Sequence, residues 1–313
     1  MTPPAGTATR VSVGGRELSL SNLDKVLYPQ AGFTKGQVIG YYQAIAPALL
    51  PHLAGRPLTL KRYPNGVEGQ FFYEKRCPSH RPPWMPTTPV WSDRNKAEVN
   101  YCVVDELAAL VWVANTASLE LHPSLSRAAD IGRPTMVVFD LDPGAPATIV
   151  QCCSIGLRLR ELLARMGLES FAKTSGSKGL QLYVPLNTPV GYEGVGGGTK
   201  GFALAVAQLF EKRFPGEVVS SMKKDLRPGK VLIDWSQNDE HKTTVSVYSL
   251  RAKARPTVST PVTWDEVAAA AESGDAEVLV FEAGDVVERV TRLGDLFAPL
   301  NELEQTLPSF AST

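Results

Sequence analysis

The sequence predicts an α+β fold with a central mixed or antiparallel sheet flanked by helices. Apolar strands follow one another through the middle of the chain with only single helices between them. That departs from the strict strand–helix alternation of a parallel wheel. The region after residue 256 then turns to helical periodicity, as expected for elements packed beside a sheet rather than within it.

Taken in order, residues 1–10 read as a disordered leader, and Val11–Leu20 alternates apolar and polar residues as one edge strand. Thr34 stands as N-cap before a run of helical period, VIGYYQAIAPALLPHL. LTLKRYPNG and GQFFYEK read as short strands, the first stopped by a Pro/Asn/Gly turn. CPSHRPPWMPTTP holds too much proline for a helix or a central strand and reads as a loop. ELAALVWVANTA is a buried helix, followed by the strand SLELHP. In the centre, TMVVFDLDP, SFAKTS, GLQLYVPL, EVVSSM, KVLIDWS and TTVSVYSL read as strands, ATIVQCCSIGLRLRELLARMG and FALAVAQLFEKRF as helices. GVGGG at 194–198 is a flexible loop, and WDEVAAAAES and GDVVERVTRLGD are the closing helices. One domain over 11–300 is expected: an N-terminal part to 130, a core over 131–256 and the helices of 257–300, with 301–313 a tail.

With 43% hydrophobic and 20% charged residues, the composition is that of a water-soluble globular protein. No apolar run reaches the roughly 18 residues of a membrane helix, and MTPPAGTATR has no apolar secretion core. A cytoplasmic monomer is the expectation. The four cysteines show no CxxC spacing and no paired histidines, which argues against zinc, and reduced thiols are expected. Net charge is zero but uneven: 12 Lys and Arg against 6 Asp and Glu over residues 1–100, and 2 against 11 over 257–313. A basic front permits a phosphate-binding face.

The chemistry concentrates in VVFDLDPG. Alternate side chains of a strand share a face, so Asp140 and Asp142 project together from its end. Paired carboxylates repel unless a cation lies between them or one is protonated. Asp234 ends another apolar strand in KVLIDWSQN. Three strand-end aspartates suit a two-metal phosphoryl-transfer site. His122 ends the strand SLELHP, a position that suits a structural histidine as readily as a ligand.

TSGSKGLQLYVPL places Ser175, Gly176, Ser177, Lys178 and Gly179 between two strands, where small residues, hydroxyls and a lysine could cradle an anion. A Walker A loop is absent, and a plain serine/glycine hairpin is the alternative. Lys242 and Arg251 flank HKTTVSVYSLR and could reach the same face. A strand ending in DxD also suggests a haloacid-dehalogenase-type phosphatase, which needs a late acidic pair, but Pro143 and Gly144 follow at once and the third aspartate, Asp234, precedes Trp235 and Ser236.

Together the motifs SNLDKVLYPQAGFTK, GRPLTLKRYPNGV, FFYEK, SLELHP, VFDLDPG, TSGSKGLQLYVPL, KVLIDWSQN and KTTVSVYSLRA resemble the polymerase domain of bacterial ligase D, in the archaeo-eukaryotic primase superfamily. The resemblance implies a primase-polymerase fold and a nucleotidyltransferase that adds ribonucleotides preferentially to DNA 3′ ends, filling gaps and extending ends in repair. It implies two Mn²⁺ (or Mg²⁺) ions on Asp140, Asp142 and Asp234, with His122 beside them. Ser175, Ser177, Lys178, Gln237, Lys242 and Arg251 would bind the nucleoside triphosphate. Lys25 and Lys35 would grip the 5′-phosphate of a gap or broken end, with Arg62 on the same DNA-binding side. Phe71 and Phe72 would stack near the template base. A separate DNA ligase and Ku would be the partners, since no ligase or nuclease domain fits in 313 residues.

One position departs from the pattern. The family's strand after SGSKGL usually begins with His, whereas here it is Gln181, which hydrogen-bonds but carries no proton near neutral pH. Gln181 is expected behind the sugar pocket, bonded to a phosphate or to Ser177. A second reading, a DNA-end-binding module with weakened catalysis, follows from this change. The intact aspartates weigh against it, because clustered carboxylates are costly to keep without a cation.

Overall fold

The computed structural model describes residues 8–93, 95–193 and 197–308. Most of the expected leader, residues 194–196 of the glycine loop and the last five residues lie outside that range. The chain opens with β1 (Thr9–Val13) and β2 (Arg16–Leu20), an antiparallel hairpin where one edge strand was expected. Gly14 and Gly15 both have positive φ and make the tight turn that folds the alternating stretch onto itself. Thr9 and Arg10, expected in the leader, pair in β1 instead. A small pair, β3 (Val26–Tyr28) and β4 (Phe33–Thr34), leads into α1 (Lys35–Leu53). Thr34 caps α1 as expected, with Gln37 completing a capping box.

The N-terminal sheet holds β5 (Leu58–Arg62), β6 (Phe72–Glu74), β7 (Thr87–Ser92) and β8 (Ala97–Cys102). After α2 (Leu107–Asn115), β9 (Ser118–Pro123) pairs with β5. The β7–β8 hairpin is absent from the sequence reading. Pro89 is tolerated in β7 because that strand is the sheet edge. Cys77 and Cys102 form a disulfide, which corrects the expectation of four reduced thiols. Their residues are 25 apart, and the Cys77 N–H donates to Asn100 O beside Cys102, so folding of the sheet and not local spacing brings them together. Cys152 and Cys153 are free and buried.

The second half contains β10 (Met136–Pro143), α3 (Ile149–Arg165), β11 (Phe171–Thr174), β12 (Leu180–Pro185), α4 (Gly198–Arg213), β13 (Val218–Val219) and β14 (Val231–Asp234). It closes with β15 (Pro261–Val262), α5 (Trp264–Ser273) and α6 (Ala283–Leu293). Its six-stranded sheet runs β13-β14-β10-β12-β11-β15, antiparallel except for β13–β14. Phe139, Leu141, Leu180, Leu182 and Ile233 are buried on the side covered by α3 and α4, in one core with Ile155, Leu159, Phe202 and Val206. The intervening positions face the N-terminal half, and that alternation puts the polar strand residues on the inner side.

The expected strand TTVSVYSL does not form. The segment runs along β9, with Ser246 N–H donating to Leu121 O and Tyr248 N–H to Ser259 O, and Tyr248 takes a positive φ that breaks strand geometry. In the expected tail, Gln305 bonds through backbone and side chain to Leu186, Pro185 and Glu169, closing against the end of β12. Among the described residues no helix is long and apolar enough to cross a membrane.

Candidate active site

β10 is the axis of the site. Its register sets Asp140 directly opposite Asp234 on β14 and opposite Gln181 on β12. Asp140, Asp142 and Asp234 line one cleft of about 620 Å³ with His122, Ser175, Ser177, Lys178, Gln181, Gln237, Lys242 and Arg251. The structure thus gathers the expected metal and nucleotide residues in one place. Burial raises the Asp140 carboxyl to about 6, Gln181 opposing through a hydrogen bond and Asp234 and Asp142 reinforcing it by repulsion. Such an all-oxygen, mutually repelling set fits a hard divalent cation. Among the described residues, no group of three or more His, Cys, Asp or Glu is already drawn into metal-holding geometry. Asp234 accepts from Ser236 N–H, Ser236 Oγ and Gln237 Nε2, at 2.9, 2.6 and 2.9 Å, while Asp142 pairs with Lys178 at 3.2 Å.

Two expected nucleotide contacts have a different immediate role. Gln237 orients Asp234, and Lys242 donates to Ser236 Oγ in the same network. Asn238 fastens this turn to β10, accepting from Val138 N–H and donating to Val138 O.

The Ser175–Gly179 loop is a built turn. The Ser175 Oγ accepts from Ser177 N–H and Gly179 N–H, and Arg251 donates to Ser175 O. Two backbone amides of the expected anion cradle are therefore turned inward, with Ser177 and Lys178 lining the cleft. A side chain at Gly179 would meet Leu141 O at 2.3 Å, and Gly176 combines φ +65 with backbone of Val258 at 2.6 Å, so neither tolerates a Cβ.

Beside the aspartates lies a carboxylate that the sequence reading missed. Glu120, buried on β9, is 3.0 Å from His122 Nε2, 3.4 Å from Lys61 Nζ and 3.5 Å from Arg251 Nε, and it accepts from Ala252 N–H. Burial alone would raise its carboxyl, but the His122 hydrogen bond with Arg251 and Lys61 holds it far below the usual range. Burial lowers His122 against the raising effect of Glu120, which favours the neutral imidazole near pH 7. An ionised Glu120 only accepts, which puts the proton of His122 on Nε2 and leaves Nδ1 as an acceptor. The signal was present: in SLELHP, Glu120 and His122 share a strand face.

The same alternation divides the aromatics. Phe71, Tyr73 and Tyr63 surround the Lys61 ammonium, with Phe71 4.4 Å from it, and Tyr73 meets His122 edge-on. Phe72 lies on the opposite face, over Arg62. Phe71 and Phe72 are both exposed but do not form one platform; Tyr73 is the partner that sequence reasoning missed. Arg62 is held by Glu74 at 2.7 Å. Lys35 and Lys25 are brought together through Lys35 N–H donating to Lys25 O, and Lys35 Nζ donates to Ser21 O at 2.6 Å.

Gln181 does not bond Ser177. Its Oε1 accepts from Lys173 Nζ at 2.5 Å, and its side chain stands beside Asp140, its direct neighbour across the strand pair. Lys173 is wholly buried, and burial pushes its ammonium well below the ordinary lysine range, with Arg251 adding to the effect.

Three aspartates at adjoining strand ends, above a cleft ringed by cations on an α+β sheet, form an arrangement suited to nucleotidyl transfer of the primase-polymerase class. Residues 34–297 match the family described as "LigD, primase-polymerase domain". The chain is 43% identical over 284 residues to the multifunctional non-homologous end joining protein LigD of Mycolicibacterium smegmatis. It is 28% identical over 279 residues to the bifunctional LigD of Bacillus subtilis. The alignments take in 90% and 89% of this chain but only 36% and 43% of those relatives. The solved polymerase domain from Mycobacterium tuberculosis ligase D, in complex with DNA, superposes with a TM-score of 0.83 at 39% identity, covering 92% of this chain and 99% of that one. This chain belongs to the LigD primase-polymerase domain family.

Proposed function

We propose that the protein adds nucleotides to DNA 3′ ends, filling gaps and extending broken ends in end-joining repair, with preference for ribonucleotides. The observation that carries this is the cross-strand placement of Asp140, Asp142 and Asp234 over a cleft that also holds Lys178, Lys242 and Arg251. Asp140, Asp142 and Asp234 would hold two Mn²⁺ or Mg²⁺ ions, which supply Lewis-acid charge at the reacting phosphate when bound. Lys178, Lys242 and Arg251 set positive charge around the triphosphate. His122 presents Nδ1 as an acceptor for a sugar hydroxyl, and Glu120 keeps that tautomer in place. A DNA ligase and Ku are the partners that an end-joining role calls for. Incubating the protein with gapped DNA, Mn²⁺ and each nucleoside triphosphate separately tests the activity; no extension of any primer overturns it.

Sugar choice follows from the same pocket. A site that hydrogen-bonds a hydroxyl leaves its partner unpaired when the hydroxyl is missing, a loss of about tenfold or more. Competition between a ribonucleotide and its deoxy counterpart on one gap should favour the ribonucleotide. Equal use would show that no such contact is made.

Lys25 and Lys35 suit a DNA 5′-phosphate. Burial lowers Lys35 to about 8, with Lys25 and Arg62 adding repulsion, so a concentrated positive site awaits an anion. A 5′-phosphate on a gapped DNA should tighten binding about tenfold near pH 7. Lys35 is charged below its pKa, so the advantage should shrink as pH rises through about 8. Fluorescence anisotropy with phosphorylated and dephosphorylated DNA reads this out, and equal affinity at pH 7 would refute it.

A further inference from the structure

Asp140, Gln181 and Lys173 form one row across β10, β12 and β11, each the direct cross-strand neighbour of the next. They share the cleft side of the sheet, and Lys173 lies deepest, at 0% exposure. Its ammonium contacts are all neutral: Gln181 Oε1 at 2.5 Å, Ser259 Oγ at 2.6 Å and the Tyr183 ring at 5.5 Å. Ser259 Oγ spends its own proton on Thr174 O, so it can only accept from Lys173. Among the described residues no carboxylate lies within ion-pair distance of Lys173. A buried lysine with no carboxylate in contact is expensive even with Asp140 acting on it from beyond ion-pair range, and an apolar side chain would fill the same space at lower cost. Packing alone does not account for it.

The two ends of a glutamine carboxamide have the same shape, and only their partners decide which way it points. Lysine donates, so it draws Oε1 inward. Nε2 is then left on the side of Asp140 and the cleft. We propose that Lys173 is a positioning residue for nucleotidyl transfer, locking the Gln181 amide so that its N–H donors are presented to Asp140 and to a triphosphate bound beside it. A histidine at 181 would carry a ring N–H of its own, whereas a glutamine needs an orienting partner. Lys173 and Gln181 thus work as one unit at this position. The inference rests on the polymerase reading only for the identity of the ligand.

The test compares wild type with Lys173→Met, Gln181→Leu, Lys173→Met/Gln181→Leu and Lys173→Met/Gln181→His. Three quantities are measured: kcat and KM on gapped DNA with Mn²⁺, calorimetric binding of a non-hydrolysable ribonucleoside triphosphate analogue, and Tm. Loss of an oriented donor to a charged group should lower kcat and analogue affinity about tenfold in either single variant, with KM for DNA unchanged. The Met/Leu double variant should be no worse than either single one. The Met/His double variant should recover most of the loss, a rescue that a purely structural lysine would not give. Wild-type kcat and analogue affinity in Gln181→Leu, multiplicative losses in the double variant, or no rescue by His would overturn the proposal, and Gln181→Leu decides even where Lys173→Met does not fold. A wild type that binds the analogue but extends no DNA would sink the polymerase reading, while the analogue affinities still judge the role of Lys173.

Discussion

Asp140→Ala should remove primer extension by roughly a thousandfold or more while leaving affinity for gapped DNA within about twofold. Asp140 is the central carboxylate of the site, facing Asp234 across one strand pair and Gln181 across the other. The candidate DNA contacts Lys25, Lys35 and Phe71 belong to other elements, the β2–β3 loop, the start of α1 and the β5–β6 loop, and do not depend on it. Primer extension with Mn²⁺ and fluorescence anisotropy on the same substrate separate the two effects. Extension within tenfold of wild type would show that the aspartates do not form the reacting centre. An equal loss of DNA affinity would mean that the substitution disturbs the fold.

The second large effect is on stability. Glu120→Ala should destabilise the protein by roughly 3–5 kcal/mol, the range for breaking a buried ion-pair network by removing one member. The substitution strands Lys61, Arg251 and the Ala252 N–H in a buried setting, each of which now points at the carboxylate. Urea unfolding, with the Cys77–Cys102 bond kept oxidised in both proteins, measures the difference. Glu120→Gln should lose less, because it keeps the shape and one acceptor. A change below about 1 kcal/mol would mean that the cluster is no more than a solvated surface pair. The depressed pKa of Glu120 also sets a pH dependence. Its contribution is complete above the unfolded value of about 4.3 and falls away as pH drops towards the lower folded value. Acid should therefore narrow the gap between wild type and Glu120→Gln.

Much of the site was legible because it lies on strands, where a period of two fixes the side-chain face. Asp140 and Asp142 share a face for that reason, and Thr34 announced the start of α1 through its capping chemistry. Glu120 and Tyr73 were equally legible by the same period and were missed because attention went to His122 and to the adjacent pair Phe71 and Phe72. What could not be read depends on contacts between distant segments. The pairing of Cys77 with Cys102 waits on the register of β7 and β8, and the partnership of Lys173 with Gln181 on the order of strands in the sheet. The stretch 243–250 has strand-like alternation, yet it lies along β9 with a left-handed Tyr248 in its path. Nor does a serine/glycine loop reveal from sequence which of its amides its own serine consumes.

The bond between Cys77 and Cys102 has a topological consequence for the N-terminal sheet. It closes a covalent ring around the proline-rich loop and the whole β7–β8 hairpin, whose tip carries the exposed Trp91. A backbone cut anywhere inside that ring opens a loop but releases no fragment. β5 and β6, which carry Lys61, Arg62 and the aromatic cluster, would remain tethered to everything that follows, so this part of the molecule tolerates nicking in a way that an uncrosslinked hairpin would not.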